Sequence, residues 1–76
     1  MIAVKLYGLL RIESGIKEKQ FEAATVKDVL EQLTACGIDR KNLNGCMILL
    51  NGNTANKRSK LTNGDAVVLM SPVAGG

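Results

Sequence analysis

The first seven residues, MIAVKLY, place Ile2, Val4 and Leu6 on one parity and Ala3, Lys5 and Tyr7 on the other. A period of two suits a half-buried strand, because successive side chains leave opposite faces of a sheet, so the chain is predicted to open with a strand. The stretch GLLRIESG breaks the alternation. A second strand is expected over KEKQFEA, more polar and at a sheet edge, where charged side chains discourage pairing with other chains. The period then changes. In ATVKDVLEQLTACG, Val26, Val29, Leu30 and Leu33 fall on one helical stripe. Thr25 is placed as N-cap with Asp28 three residues on, the spacing of a capping box, and Gly37 stands where helices commonly end.

The apolar run CMILL meets Asn51-Gly52, a strong short hairpin signal, so a third strand should turn into a short fourth around Thr54 to Asn56. A turn at Asn63-Gly64-Asp65 leads to a last strand, Ala66 to Met70, and residues 71–76 are expected to form a flexible tail. One amphipathic helix covers only one face of the sheet it packs on, which predicts an α+β roll with the other face open. The third and fifth strands are apolar on both parities, whereas a half-solvated antiparallel sheet should alternate apolar with polar. If Val67 and Leu69 join Val4 and Leu6 beneath the helix, then Val68, Met70, Tyr7 and Leu49 point outward. Scattered surface apolars are ordinary; a contiguous set at the root of the tail is what a partner surface requires.

Composition narrows the function more than it defines it. Seventy-six residues allow a single domain, 1–76, with a modest core. Apolar residues at 46% and charged residues at 22% are a globular balance. The longest apolar runs are far below membrane-spanning length and no leader pattern opens the chain, so a soluble, cytoplasmic protein without a membrane partner is expected. Cys36 and Cys46 form no C-x-x-C pair and are expected to stay reduced rather than to bridge. Histidine is missing, which removes the commonest general base and metal ligand, and no phosphate-cradling loop exists. A chain that is non-catalytic alone and binds no cofactor or metal follows. The net charge of +3 and the cluster NKRSK raise a nucleic-acid reading. With Tyr7 and Phe21 the only aromatics, no stacking platform is available, and the cluster reads as a solvated loop.

The chain closes on SPVAGG. Chain ends fray, and a glycine pair is a neutral place to stop or a leftover of cloning. The alternative is that the tail is the working part, its carboxylate offered to the cleft of another protein.

Taken together, ATVKDVLEQL, LTNGDAVVLMSPVAGG and GLLRIESG resemble the small sulfur-carrier subunit of molybdopterin synthase, the MoaD-like branch of the MoaD/ThiS group. The resemblance spans essentially the whole chain and implies the ubiquitin-like β-grasp fold. It also implies a cycle in which an ATP-dependent activating enzyme of the MoeB/ThiF type adenylates the Gly76 carboxylate. A sulfur donor then makes a thiocarboxylate, which passes sulfur to a pterin precursor in a larger, MoaE-like synthase subunit. ATP is consumed by the partner. Gly75 and Gly76, without Cβ atoms, suit a narrow channel, and Pro72 stiffens the exit from the last strand. Tyr7, Arg11, Leu49, Val68, Met70, Pro72, Val73 and Ala74 are the expected partner contacts. The chain departs from the family's frequent pair of prolines with preceding aromatics, carrying Leu69, Met70 and Ser71 there, and its NTANKRSKL loop is more basic. Thiamine thiazole synthesis, RNA thiolation and ubiquitin-like attachment or binding are the alternative outlets.

Overall fold

The computed structural model describes residues 1–71. Along them the chain runs β1 (Ile2–Tyr7), α1 (Leu9–Ser14), β2 (Glu18–Phe21), α2 (Val26–Ala35), α3 (Arg40–Asn44), β3 (Met47–Leu50), β4 (Asn53–Thr54) and β5 (Ala66–Met70). The five strands form one sheet in the order β2-β1-β5-β3-β4. The central pair, β1 and β5, is parallel, with Val4 opposite Val67 and Leu6 opposite Leu69; the flanking pairs are antiparallel. The result is a mixed sheet packed with helices, an α+β β-grasp.

The inner face is built by the parity expected. Ile2, Val4 and Leu6 of β1 and Val67 and Leu69 of β5 are buried, and α2 places Val26, Val29, Leu30 and Leu33 in the same core. Burying each such aliphatic side chain stabilises the fold by about 1.5–3 kcal/mol. The start of α2 is set by its capping box. Thr25 Oγ1 accepts from the Asp28 backbone at 3.4 Å, while the Asp28 carboxylate accepts from the Ala24 and Thr25 backbones at 3.0 and 3.2 Å. That satisfies amide groups which have no partner inside a first helical turn. The helix closes with Cys36 as C-cap and Gly37 at φ 103°.

The β3–β4 hairpin turns on Asn51 (φ 50°) and Gly52 (φ 87°), the two left-handed residues that match the twist of the flanking strands. Asn51 also clamps β5. Its side-chain carbonyl accepts from the Ala66 backbone at 2.9 Å, and its amide donates to Asp65 at 3.0 Å.

Two short helices replace segments that sequence periodicity leaves unassigned. α1 occupies the stretch read as a break after β1, and only Leu10 of its six residues is buried. α3 opens on Asp39, whose side chain accepts from the Lys41 backbone at 2.9 Å, and buries only Leu43. A single buried residue gives no periodic stripe to detect. The fourth strand is confined to Asn53–Thr54, shorter than the expected reach to Asn56. Among the described residues no helix is long and apolar enough to cross a membrane.

Candidate functional site

The outer face of the sheet is ordered by its register. Tyr7 of β1 sits opposite Met70 of β5, and Met70 opposite Met47 of β3, so the three side chains form one row across three strands. They are 42%, 41% and 58% exposed, so the sheet presents a contiguous row of large apolar side chains on its outer face. One row further back, Lys5, Val68, Leu49 and Thr54 are in register; Val68 and Leu49 are half-buried. Lys5 pairs with Glu18 at 3.8 Å, both about half exposed, a solvated pair that adds little stability but ends the apolar surface on that side. The apolar row therefore lies at the end of β5 from which the chain continues toward its terminus.

α1 borders this end. Leu9 is 37% exposed and Ile12 80% exposed, and Arg11 is solvent-facing on the same helix. Ser71, the residue after β5, is buried, with its hydroxyl 3.3 Å from the Leu10 amide and 3.5 Å from the Tyr7 carbonyl. Of the expected partner contacts, Tyr7, Leu49, Val68 and Met70 thus share the outer face and Arg11 stands on α1. Pro72, Val73, Ala74, Gly75 and Gly76 lie outside the described residues.

The remaining chemistry is elsewhere. A depression of about 600 Å³ is lined by residues of the β2–α2 connection and α2, among them Glu22, Asp28 and Glu31. A second of about 150 Å³ lies between α2 and α3, lined by Leu30 and Leu43 with Lys27, Arg40 and Lys57. Neither of these, nor a third of about 350 Å³ beside Met1 and Asn63, is lined by Tyr7, Met47 or Met70, so among the described residues the candidate site is an open surface. Lys57 of the basic loop donates to the Asn44 side chain at 3.0 Å. Both cysteines are free. Cys36 is exposed at the end of α2, while Cys46 is half-buried and donates to the Leu43 carbonyl at 2.9 Å. Burial pushes the Cys46 thiol upward, opposed by a backbone hydrogen bond and by the Lys57 charge. Among the described residues no three His, Cys, Asp or Glu side chains converge as a metal site.

Met47 and Ser71 belong to this region and were not singled out by sequence reasoning. Met47 was readable in principle, because in MILL it shares the parity of Leu49 and opposes that of Ile48. Ser71 was not, since its partners are 61 and 64 residues away.

The sequence profile of the ThiS family matches residues 4–76. This chain belongs to the ThiS family. It is a member of the ThiS/MoaD-like, ubiquitin-like β-grasp superfamily, whose general role is that of sulfur carrier or ubiquitin-like modifier. Comparison with curated proteins found no match. Among solved structures, this ThiS-family chain is similar to SAMP1 from Haloferax volcanii, with 24% identity, 99% of this chain and 98% of that one covered, and a TM-score of 0.85. It is also similar to the small archaeal modifier protein 1 from Methanosarcina acetivorans, at 28% identity over 99% and 95% of the chains with a TM-score of 0.79. A third likeness is to a chain in the complex of subunits 1 and 2 of the molybdopterin-converting factor from Helicobacter pylori 26695, at 24% identity, 99% and 97% coverage and a TM-score of 0.71.

Proposed function

We propose that the working group of this protein is its own C-terminal carboxylate, activated on Gly76 by an ATP-dependent adenylating enzyme that docks on the Tyr7, Met47 and Met70 row. The observation that carries this reading is the placement of that row at the end of β5, beside the point where the chain runs on toward Gly75 and Gly76. A partner seated there holds the carrier by its sheet while the terminus reaches the partner's ATP site.

The chemistry explains why two proteins are needed. A carboxylate is a poor electrophile, and this chain has neither histidine nor a phosphate-cradling loop with which to activate it. In the partner, a carboxylate oxygen of Gly76 attacks the α-phosphorus of ATP and pyrophosphate leaves. Hydrosulfide then attacks the acyl carbon of the adenylate; a C–S bond forms, the C–O bond to AMP breaks, and a proton is released as the thiocarboxylate is left on Gly76. A lysine amine attacking the same acyl carbon instead gives an amide and makes the chain a modifier. Both outlets use one activated intermediate. The modifier outlet is supported by the 28% identity to a small archaeal modifier protein over nearly the full length of both chains.

A second reading, sulfur donation to a pterin precursor inside a larger synthase subunit, is supported by the Pro72-Val73-Ala74-Gly75-Gly76 ending. The deciding experiment incubates the full chain with an adenylating enzyme of the ubiquitin-activating type from the same organism, ATP and sulfide, and reads intact mass. Exchange of one oxygen for sulfur, dependent on ATP, is the expected result. An unchanged mass with an enzyme that activates its other substrates overturns the carrier reading. Mapping the terminus onto lysines of cellular proteins separates the modifier outlet from the synthase outlet.

A further inference from the structure

We propose that Ser71 is the positioning residue of the carrier terminus: its hydroxyl pins the end of β5 to the β1–α1 junction and so fixes where the chain leaves the sheet. The inference rests on the activation of Gly76 proposed above and names a residue that sets its geometry.

Three observations converge on this side chain. Ser71 is the only buried polar residue among the described residues, 8% exposed, in a core otherwise entirely apolar. Its hydroxyl accepts from the Leu10 backbone at 3.3 Å and donates to the Tyr7 carbonyl at 3.5 Å, so both of its hydrogen-bonding directions are used by backbone on the far side of the chain. Gly8 lies between those two partners at φ 67°, and a Cβ there would stand 2.8 Å from the Ser71 hydroxyl and 3.0 Å from the Ser71 carbonyl. Gly8 is thus the residue that lets the strand end approach so closely, in a backbone conformation that other residues seldom adopt.

The hydroxyl also completes α1. The residue before this helix, Gly8, has no side chain to cap it. The Leu10 amide occupies the second helical position, one of those an N-cap side chain normally serves. Ser71 takes that role from 61 residues away. Removing its oxygen leaves the Leu10 amide without its acceptor and frees the strand end from β1 and α1 together. The apolar row stays intact, because Met70 and Tyr7 remain paired by the sheet ladder. Docking and positioning are therefore separable: the row sets how tightly the carrier binds, and Ser71 sets where its terminus starts.

The test compares wild type, Ser71→Ala and Ser71→Asn, the last keeping a short side-chain acceptor of N-cap type. Hydrogen exchange at the Leu10 amide reads the pin without any partner, and ATP–pyrophosphate exchange with the activating enzyme reads its consequence. Ser71→Ala is expected to speed Leu10 exchange and to lower kcat by about 10- to 100-fold, the scale of a displacement near 1 Å at reacting atoms, with KM for the carrier within about twofold of wild type. Partial recovery of both readouts in Ser71→Asn supports a hydrogen-bonding role. Wild-type kcat in a folded Ser71→Ala protein, unchanged Leu10 exchange, or a rise in KM alone overturns the proposal. Wild-type protein that supports no pyrophosphate exchange overturns the carrier reading, and the positioning role with it, an outcome distinct from an active wild type matched by an equally active variant.

Discussion

Replacing Met70 with lysine tests whether the outer row is a docking surface. Met70 lies between Tyr7 and Met47 and is 41% exposed, so the isolated domain can keep a lysine with its ammonium in water and its stem along the neighbouring side chains. A solvent-facing substitution of this kind changes stability by no more than about 0.5 kcal/mol. In a domain of this size that is a melting shift of roughly 2–4 °C. The complex has no such escape. A partner covering the row strips water from the centre of the patch, and an unpaired ammonium there costs about 2–3 kcal/mol, the scale of a hot-spot loss. At 1.4 kcal/mol per factor of ten, KM for the carrier should rise roughly 30- to 150-fold. The assay is pyrophosphate exchange at varied carrier concentration, alongside thermal melts, with Ala35→Lys on the exposed end of α2 as the charge control. An unchanged KM in a folded Met70→Lys protein refutes docking on this face. A melt lowered by more than about 8 °C would show instead that Met70 acts as core, and would refute the facing assignment.

Deleting Gly76, or adding one residue after it, should abolish activation, because a residue's length of about 3.3 Å exceeds the tolerance of reacting atoms that must meet at about 3–3.5 Å; equal sulfur acceptance by both variants and wild type would rule out the terminus as reactant. Replacing Cys36 and Cys46 together with alanine should leave thiocarboxylate yield unchanged, since neither lies in the outer row, and with iodoacetamide at neutral pH exposed Cys36 should label well before Cys46, whose thiolate is disfavoured by burial. Asp65 accepts from the Thr62 backbone at 2.8 Å and from Asn51 at 3.0 Å, in that order the main causes that lower its pKa below the usual carboxylate value of 3.8. A depressed folded pKa adds stability that is fully present above the unfolded value and lost as pH falls through the folded one. Asp65→Asn should therefore flatten the fall of the melting temperature below about pH 4, and an unaltered acid limb would exclude this contribution.

Local signals were enough for the elements whose causes are local. Thr25 and Asp28 mark the start of α2 because both halves of a capping box lie within four residues, and Asn51-Gly52 marks its hairpin because the turn needs two adjacent left-handed residues. The period-two parity of β1 likewise separates inner from outer residues, since a strand's faces are set by its own backbone, whereas β5, apolar on both parities, takes its facing from packing beside β1 under α2. That Tyr7 and Met70 share an outward face was legible, but the register that sets Tyr7 directly opposite Met70, and Met70 opposite Met47, was not, because nothing in these segments encodes the alignment of partners so far apart in the chain. The same holds for α1. Its six residues bury only Leu10 and leave Ile12 80% exposed, so no stripe exists to read, and its cap is Ser71 from the other end of the described chain. The sequence alone determined the faces, the main helix, the hairpin and the family-like ending. Tertiary structure decided the register of the outer row, the place of Met47 in it and the serine pin, because contacts between distant segments depend on chain topology, which local spacing does not carry.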